Sequence, residues 1–445
     1  MGDRPERGRS AGPRRQRRGP ALPRALVLPL LVPSLLHGVG QGAAAPVVVL
    51  LALEHGASVV QAGLVAAMAG LGMLLGDVPS GWIISRLGER RAVAVSTGVG
   101  VGGAALSALV GDPVWISIGV ALVGVAAAVS MVARQNSVVV IAADAHLGRA
   151  LSAVAASMRA GLLIGPFVGA AVVAVSGPAG GLWIQAAAIA VAGVLMMIVP
   201  DATARGAETG SGVWAVAVDH AEPLTRVGAG ALVLGVCRTS RTTVLPLWAA
   251  HVGLDAVATS VVFGIGGAMD LLISLPAGRA LDTIGRVPVA VASTSVFALG
   301  ALLLPLAHGP VAVGAVSVVL GAANGLSNGL LMTLGADLAP PGDRVAFLGL
   351  WRVAHDLGVL SGPLVLSGVT ALGGLAAASL ATGGVAVVGA GVFAWVVPRY
   401  LPRRQPAVGP SRQPAEGPSR EPTSDHRDAN RCPVPPLPDT ISSTT

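Results

Sequence analysis

The sequence predicts an all-α integral membrane protein with twelve transmembrane helices in two pseudo-symmetric six-helix bundles. Three observations predict this fold class. The composition is too apolar for a water-soluble protein, apolar stretches alternate with short polar breaks, and glycines recur at matching positions in the two halves of the chain.

The composition excludes an ordinary soluble enzyme. Of the 445 residues, 53% are hydrophobic and 11% are charged, whereas a soluble domain carries about 25% charged residues. So much apolar surface requires lipid as a solvent. The net charge of +7 does not indicate a nucleic-acid partner, because most of the arginines lie in the tails and at the ends of apolar segments. Two cysteines in different contexts, Cys237 and Cys432, exclude a disulfide framework and a zinc site.

Apolar stretches long enough to cross a bilayer run from residue 25 to residue 397. Twelve spans are predicted at 25–52, 58–84, 91–110, 114–141, 149–176, 180–199, 227–250, 257–281, 287–307, 310–336, 345–372 and 374–397. The predicted domains are an N-terminal bundle over 25–199, a central cytoplasmic loop over 200–226 and a C-terminal bundle over 227–397. Residues 1–24 and 398–445 are predicted to be disordered cytoplasmic tails, rich in arginine and proline. A cleaved signal peptide is the alternative for the first tail, but the apolar run after Arg24 is too long for one.

Arginine is distributed unevenly between the two sides of the predicted spans. The odd-numbered connections contain none, whereas the even-numbered connections and both tails are rich in it. Because positively charged loops remain on the cytoplasmic side, we expect both termini in the cytoplasm and an even number of spans. The chain is therefore predicted to be a multi-pass protein of the cell membrane.

The first half of the chain resembles the second when the two are offset by 197 residues. Ten glycines and three prolines then fall on residues of the same type, where about four glycine matches are expected by chance. Small residues let helices approach closely in lipid, so we expect both halves to share their close contacts. An even number of spans in each half makes the repeats parallel, which predicts a substrate site near mid-membrane between them.

The connection between the second and third spans carries a motif that recurs in the second half. The segment Gly81-Trp-Ile-Ile-Ser85-Arg86-Leu87-Gly88-Glu89-Arg90-Arg91 resembles the signature loop of the major facilitator superfamily, and so does Gly278-Arg-Ala-Leu-Asp282-Thr-Ile-Gly285-Arg286. The resemblance implies the fold of that family and a cytoplasmic latch between the halves. Ser85 stands where the family has Asp, which either weakens the latch or leaves Asp77 to compensate. An ordinary basic loop is the alternative.

The fifth span contains a second family motif. Gly161-x-x-x-Gly165-Pro166-x-x-Gly169 resembles the antiporter motif of the family's proton-coupled drug exporters, and Gly358-x-x-x-Gly362-Pro363 repeats it in the eleventh span. The resemblance implies proton-coupled export. Generic helix packing is the alternative, because proline loosens a helix and glycine allows close contact. Arg352-x-x-His355-Asp356 and Ala133-Arg134-Gln135 are similar to segments of bacterial members.

Polar residues inside the predicted spans are costly in lipid and are therefore candidates for function. Asp270 and Asp356 are candidates for exchanging a proton, although Arg352 at i, i+4 also allows a structural pairing with Asp356. Arg238 and Arg241 share a face near mid-depth, which favours an anionic substrate more weakly. Arg134 and Arg159 either serve the site or extend to the cytoplasmic interface. The neutral candidates form two pairs at i, i+4: His37 with Gln41, and Asn324 with Asn328.

Together these features predict a secondary active transporter that exports a small organic molecule, such as a drug or a metabolite, in exchange for protons. Uptake of a metabolite is the alternative. The sequence has no lysine and hence no phosphate-binding loop, so ATP is not expected to drive transport directly. No cofactor and no metal are expected either. We expect a monomer without enzyme activity. More remote alternatives are a membrane sensor and an intramembrane hydrolase that uses Ser327 of Gly325-x-Ser327-x-Gly329 with His355.

Overall fold

The computed structural model describes residues 30–141, 147–198, 213–340 and 343–400, and all regular elements in these ranges are helices. The predicted arm over residues 1–24, residues 200–212 of the central loop and the tail beyond residue 400 lie outside the described residues. The first half contains α1 (Val32–Glu54), α2 (Val59–Leu87), α3 (Glu89–Leu109), α4 (Pro113–Ile141), α5 (Leu147–Ser176) and α6 (Ala179–Met196). The all-α fold class is confirmed.

Two short helices and a second set of long helices follow. The short ones are α7 (Val213–Asp219) and α8 (Ala221–Arg226), in the connection that the sequence predicted only as a hydrophilic loop. The second half contains α9 (Gly228–His251), α10 (Ala256–Thr283), α11 (Arg286–Leu303), α12 (Gly309–Ser327), α13 (Leu330–Leu338) and α14 (Arg344–Gly391). Short π and 3₁₀ turns cover Val392–Val396 and Val397–Arg399 after α14.

The starts of α2 and α10 are capped at positions related by the 197-residue repeat. Ser58 Oγ accepts a hydrogen bond from the backbone N–H of Gln61 at 3.2 Å, and the Gln61 side chain accepts from the backbone N–H of Ser58 at 2.8 Å. Asp255, the repeat partner of Ser58, accepts from the N–H of Ala258 at 2.7 Å. These side chains satisfy N–H groups that have no partner within the helix.

The glycine repeat corresponds to equivalent close contacts in the two halves. A Cβ at Gly38 of α1 would overlap the backbone oxygen of Met158, and a Cβ at Gly235 of α9 would overlap that of His355, the repeat partner of Met158. The same relation joins Gly124, which faces the backbone of Ala69, to Gly321, which faces the backbone of Gly266. The two bundles are therefore built on the same helix pairs, as the sequence predicted.

Gly374 divides α14 into two parts. Its φ of 80° is accessible to glycine at little cost, and its repeat partner Gly177, with a φ of 70°, separates α5 from α6. Ten helices of the described chain are long and apolar enough to cross a bilayer. This count takes α14 as one helix and does not include α9. Twelve spans stay a prediction that depends on dividing α14 at Gly374 and on including α9, which carries Arg238 and Arg241.

The predicted tenth span is interrupted. The sequence predicted one helix over 310–336, but α12 ends at Ser327 and α13 begins at Leu330. Gly329, between them, has a φ of 82° in the left-handed region, which is strained for other residues. The break leaves Asn328 at the end of α12, where its side chain is buried.

Apolar packing joins the two halves at one face of the molecule. This outer face carries the connections after α1 and α9, and the inner face carries those at Gly88 and Gly285. One apolar cluster near the outer face combines Leu51 of α1 with Trp248 of α9 and Leu366 of α14. Two clusters toward the inner face each remain within one half, one around Trp351 and Phe393 and one around Val93 and Ala133. The outer face is therefore closed by apolar side chains from both halves.

Candidate functional site

Asp270, the fifteenth residue of the 28-residue helix α10, is half-buried near mid-depth. Asn324 Nδ2 on α12 donates a hydrogen bond to Asp270 Oδ2 at 2.5 Å, and Asn328 Nδ2 donates to Oδ1 at 2.7 Å. Both asparagines are buried. The structure thus brings together three residues that the sequence singled out separately.

Three arginines lie within electrostatic range of this carboxylate. Arg159 of α5 and both Arg238 and Arg241 of α9 lie close enough to Asp270 for electrostatic interaction. The position of Arg159 follows from the crossing of α5 with α10, where Gly267 lies opposite Leu163. One turn further toward the inner face along each helix, Arg159 and Asp270 come together. Arginines from both halves therefore converge on one acidic side chain.

Arg241 is almost fully buried, with 7% of its surface exposed. Its guanidinium carbon lies 4.7 Å from the centroid of the Phe263 ring, and Nη2 donates a weak hydrogen bond to the Phe263 carbonyl at 3.4 Å. Its Nε has no hydrogen-bond partner, and neither does the hydroxyl of the buried neighbour Ser240. Both residues line a narrow cavity inside the second half, together with Cys237 and Thr382. Buried donors without partners are costly, so this narrow cavity favours a polar occupant.

A second charged cluster lies nearer the inner face and joins the halves. Arg352 Nε of α14 lies 3.7 Å from Asp356 Oδ2, as the i, i+4 spacing predicts, and 4.0 Å from Asp77 Oδ2 of α2. Arg352 also donates to the sulfur of Met131 on α4 at 2.9 Å. His355 Nδ1 lies 3.0 Å from Asp356 Oδ1. Asp77, which the sequence assigned to the latch, thus contacts the other half through Arg352.

Arg238 connects the two clusters. It interacts electrostatically with Asp270 and also with His355. Arg238 is therefore within electrostatic range of a titratable group in each cluster. A change of protonation at one cluster alters the electrostatic environment of the other.

The signature loop makes contacts within each half. Arg86 stacks on Trp82 at 5.3 Å, and Ser137 of α4 donates to Glu89. In the second half Arg286 Nε lies 2.7 Å from Asp337 Oδ2 of α13, and Nη1 donates to the Leu281 carbonyl at 3.0 Å. The other predicted latch residues lie at the inner ends of α2, α3 and α10, with Gly88 and Gly285 at positive φ: Gly81, Gly88, Arg90, Arg91, Gly278, Asp282 and Gly285. A latching role for these residues between the halves stays a prediction.

The antiporter-like motif forms the contact between α5 and α1. A Cβ at Gly161 would overlap the backbone oxygen of Leu35, and a Cβ at Gly165 would overlap that of Val39. Gly169 faces Ala43, and Pro166 packs against Gly42. The motif thus allows two helices of one half to approach closely, which is the packing role that the sequence left open beside export.

The polar candidates of the first half lie apart from Asp270. Arg134 is buried and lines a narrow cavity with His37 and Ser130, and His37 and Arg134 interact electrostatically. Arg134 therefore points into the first bundle and does not extend to the interface. Gln41 is exposed. No described contact joins these residues to the carboxylate of Asp270.

The residues proposed for a hydrolase do not form a catalytic pair. The buried Ser327 hydroxyl donates to its own helix, at the Asn324 carbonyl at 2.7 Å. His355 Nδ1 pairs with Asp356, and its Nε2 has no hydrogen-bond partner. Among the residues that the structure describes, no group of three His, Cys, Asp or Glu side chains is arranged to hold a metal ion.

Sequence reasoning did not assign Arg159 to the central site. The position of Arg159 along its predicted span was also compatible with a side chain that extends to the inner interface. The orientation of α5 against α10, which brings Arg159 to the central site, cannot be read from the spacing of residues within one helix. One signal was available, because the 197-residue offset places Arg159 on Asp356. Because both repeat-related positions carry a charged residue inside a span, we infer that both positions face the space between the halves.

Comparisons with known proteins agree on one family. A family model described as Major Facilitator Superfamily matches residues 30–269 and 227–428. No curated protein matches the sequence. Among solved structures, the nucleoside transporter NupG has a TM-score of 0.69 at 17% identity, covering 83% of this chain and 98% of that chain. A bacterial homologue of the human lysosomal transporter Spinster has a TM-score of 0.69 at 12% identity, with 84% and 97% covered. A D-xylose-proton symporter has a TM-score of 0.64 at 15% identity, covering 85% of this chain and 97% of that chain.

Proposed function

The chain belongs to the major facilitator superfamily of membrane transporters, and from this premise we propose that it moves a small organic molecule by proton-coupled alternating access. The observation that carries the proposal is the half-buried carboxylate of Asp270, which two asparagines hold and which arginines of both halves surround. An ionisable group at mid-depth is costly and is retained where it serves transport.

Asp270 supplies a chemical basis for coupling. When its carboxylate is ionised, it attracts Arg159 of the first half and Arg238 of the second. When it takes up a proton, that attraction disappears and the balance between inward-open and outward-open arrangements shifts. The proton and the substrate then act on the same set of side chains. Asp356, paired with Arg352 and His355, is the second candidate for the coupling group.

The direction of transport has two candidates. Export is favoured by the motif Gly161-x-x-x-Gly165-Pro166, through its resemblance to proton-coupled exporters. Uptake is favoured by the arginines around Asp270, because protonation of Asp270 removes a negative charge and promotes binding of an anion together with the proton. The direction of proton movement separates the two, since exported substrate exchanges for protons and co-transported substrate moves with them.

The remaining elements of the proposal concern location and assembly. We propose the cell membrane of a bacterium, with both termini in the cytoplasm, because the arginine-rich connections lie on one face. We also propose that the protein functions as a monomer. Neither the charged clusters nor the cavities require a cofactor for this function, and no enzyme activity is proposed.

The experiment is proton flux in proteoliposomes with a pH-sensitive dye inside and candidate compounds outside. We expect one compound to trigger flux with the native protein and with Glu54→Gln, an exposed carboxylate at the outer face. Asp270→Asn is expected to abolish substrate-driven proton flux while it retains exchange of labelled for unlabelled substrate. Its amide oxygen still accepts from one of the two asparagines, and its NH2 group donates to the other once that side chain turns its oxygen toward it.

Two results would contradict this coupling role. If Asp270→Asn preserves the proton flux, the proton binds elsewhere, and Asp356→Asn becomes the variant to measure. If Asp270→Asn abolishes exchange as well as flux although the protein is folded, Asp270 is needed for binding or packing rather than for coupling.

A further inference from the structure

We infer that the central site binds the anionic group of a small organic anion with Arg159, Arg238 and Arg241, and that Asp270 is the internal counter-ion of these arginines in the absence of ligand. The inference deepens the proposed transport function by naming the chemical class of the substrate, and it rests on that function. Three observations support it: the excess of positive charge around Asp270, the unpartnered Nε–H of Arg241, and the hydrogen bonds from two asparagines that hold Asp270.

The charge balance around Asp270 is unequal. Three guanidinium groups interact with one carboxylate, which leaves two positive charges without a counter-ion in this group. Buried charges without partners are costly, so a site of this kind is stable when a ligand supplies negative charge. Arginine is also the side chain best suited to bind carboxylate or phosphonate groups, because its donors match two oxygens at once.

Arg241 provides an open donor inside the protein. Its side chain is 7% exposed, its ring contact and weak carbonyl bond are both with Phe263, and its Nε has no partner. The orientation of Arg241 is thus fixed by the protein, and its Nε–H is left for a ligand. Ser240, whose buried hydroxyl also has no partner, adds a neutral donor beside it.

Asp270 is held in place by neutral groups. Each of its oxygens accepts a hydrogen bond from an asparagine, at 2.5 Å and 2.7 Å. An arriving anion therefore does not have to break a direct pair between Asp270 and an arginine, but it does meet the negative charge of Asp270. Protonation of Asp270 removes that repulsion. By linkage, anion binding and proton binding at this site strengthen each other.

The other helices packed against α10 do not supply a competing titratable group at this depth. On α1, His37 interacts with Arg134 inside the first bundle. On α11, Arg286 pairs with Asp337 at the inner face. Beyond Arg238 lie His355, Asp356 and Arg352 of α14, which form their own cluster. The charged groups that face Asp270 are Arg159 on α5 and Arg238 and Arg241 on α9.

The test measures binding directly, without transport. Purified protein is titrated with succinate, benzoate and methylphosphonate, and with the neutral amides succinamide and benzamide, and binding is followed by calorimetry and thermal stabilisation at pH 5.5 and pH 8. We expect at least one acid to bind, to bind more tightly at the lower pH, and to bind more tightly than its amide.

The arginine variants test the residues of the site. Arg241→Gln and the double variant Arg159→Gln/Arg238→Gln should each weaken binding of the acid by roughly tenfold or more. Arg279→Gln, an exposed arginine of α10, is the control and should leave binding unchanged.

Asp270→Asn keeps the inference testable if an arginine variant fails to fold. Removal of the counter-ion should tighten binding of the acid at pH 8, which a purely structural role of Asp270 would not do. It should also abolish the pH dependence of benzoate binding, because the single carboxyl group of benzoate is ionised at both pH 5.5 and pH 8. The inference is overturned if none of the acids binds, if the amides bind equally well, or if Asp270→Asn weakens binding.

Transport measurements separate this inference from the proposed function. If the protein transports a neutral or cationic compound with protons, and the arginine variants retain that transport, the inference is overturned while the proposed function stands. Conversely, acid binding without proton flux would support this inference and contradict proton coupling.

Discussion

Arg352 lies between two carboxylates that belong to different halves of the protein. Asp356 is on the same helix and Asp77 is on α2, and their side chains are 7% and 15% exposed. Removal of one member of a buried ionic group costs more than the group contributes, because the remaining charges lose their compensation. A single substitution in the Arg352 cluster therefore acts directly on the contact between the halves.

Replacement of Arg352 by Gln is expected to lower the free energy of unfolding by about 3 kcal/mol, because it leaves Asp77 and Asp356 facing each other without a cation. The loss should shrink as the pH falls, since a proton on either carboxylate relieves the repulsion. The measurement is unfolding in mixed micelles at pH 5 and pH 8. Asp77→Asn in the Arg352→Gln background should restore part of the stability, and Arg279→Gln is the matched control. A loss that does not depend on pH would show that packing, not charge, explains the effect.

The sequence identified individual functional candidates more easily than the residues that they contact. Asn324 and Asn328 were selected because they share a helix face, and Asp270 because an acid inside a span is costly, but helical spacing does not say which neighbouring helix a face meets. The crossing of α10 with α12 joins these three residues. The same limitation explains Arg159, whose side chain approaches Asp270 only because α5 crosses α10 beside Gly267.

The helices pack at distances that only glycine allows at several positions. Gly38 on α1 and Gly235 on α9 are repeat partners, and each faces a backbone oxygen of the adjacent helix. A methyl group at either position would have to push two backbones apart. Because the contacts are equivalent, the two halves should respond alike.

Gly38→Ala and Gly235→Ala are each expected to lower the free energy of unfolding by about 1–3 kcal/mol, the usual cost of overpacking. Gly98→Ala on α3 is the control, because a Cβ there meets nothing within 4 Å and alanine favours the helix over glycine. Unfolding in mixed micelles again provides the measurement. Unequal effects of the two substitutions would contradict the equivalence of the repeats, and a loss in Gly98→Ala would show that any methyl group is harmful.

The long helices followed from the sequence, whereas the break inside the predicted tenth span and the two short helices did not. Hydropathy predicted segments of the correct length because lipid selects for apolar residues. The break at Asn328 and Gly329 lies inside an apolar stretch, where hydropathy carries no signal for backbone geometry. The helices α7 and α8 contain seven and six residues, which is too short for a periodic pattern. The turn at Gly374 was predicted, through its place between two apolar runs and its repeat relation to Gly177.

The molecule as a whole is held together differently at its two faces. Near the outer face, apolar residues of both halves pack in one cluster, and Gly63 of α2 adjoins Ser367 of α14. Toward the inner face, the contacts described between the halves involve Asp77, Arg352 and Met131. Alternating access requires the outer contacts to separate during each cycle.

A disulfide at the outer face is expected to stop transport. A Cβ on Gly63 lies 3.6 Å from the Cβ of Ser367, within the range of about 3.5–4.5 Å that a disulfide needs. In a Cys432→Ser background, oxidised Gly63→Cys/Ser367→Cys should lose transport and regain it after reduction, while ligand binding measured by calorimetry remains. The single cysteine variants are the controls. Full transport by the oxidised double variant would show that these helices do not separate.

The apolar cluster at the outer face also has a thermal consequence. Opening that face exposes apolar surface to water, which carries a large positive heat-capacity change, whereas separation of the ionic contacts near the inner face does not. The two opening steps should therefore respond differently to temperature and to salt. Cooling weakens apolar packing and eases outward opening, and high ionic strength on the inner side screens the Arg352 contacts and eases inward opening. The resting orientation of the protein is thus expected to depend on temperature and ionic strength even when no substrate is present.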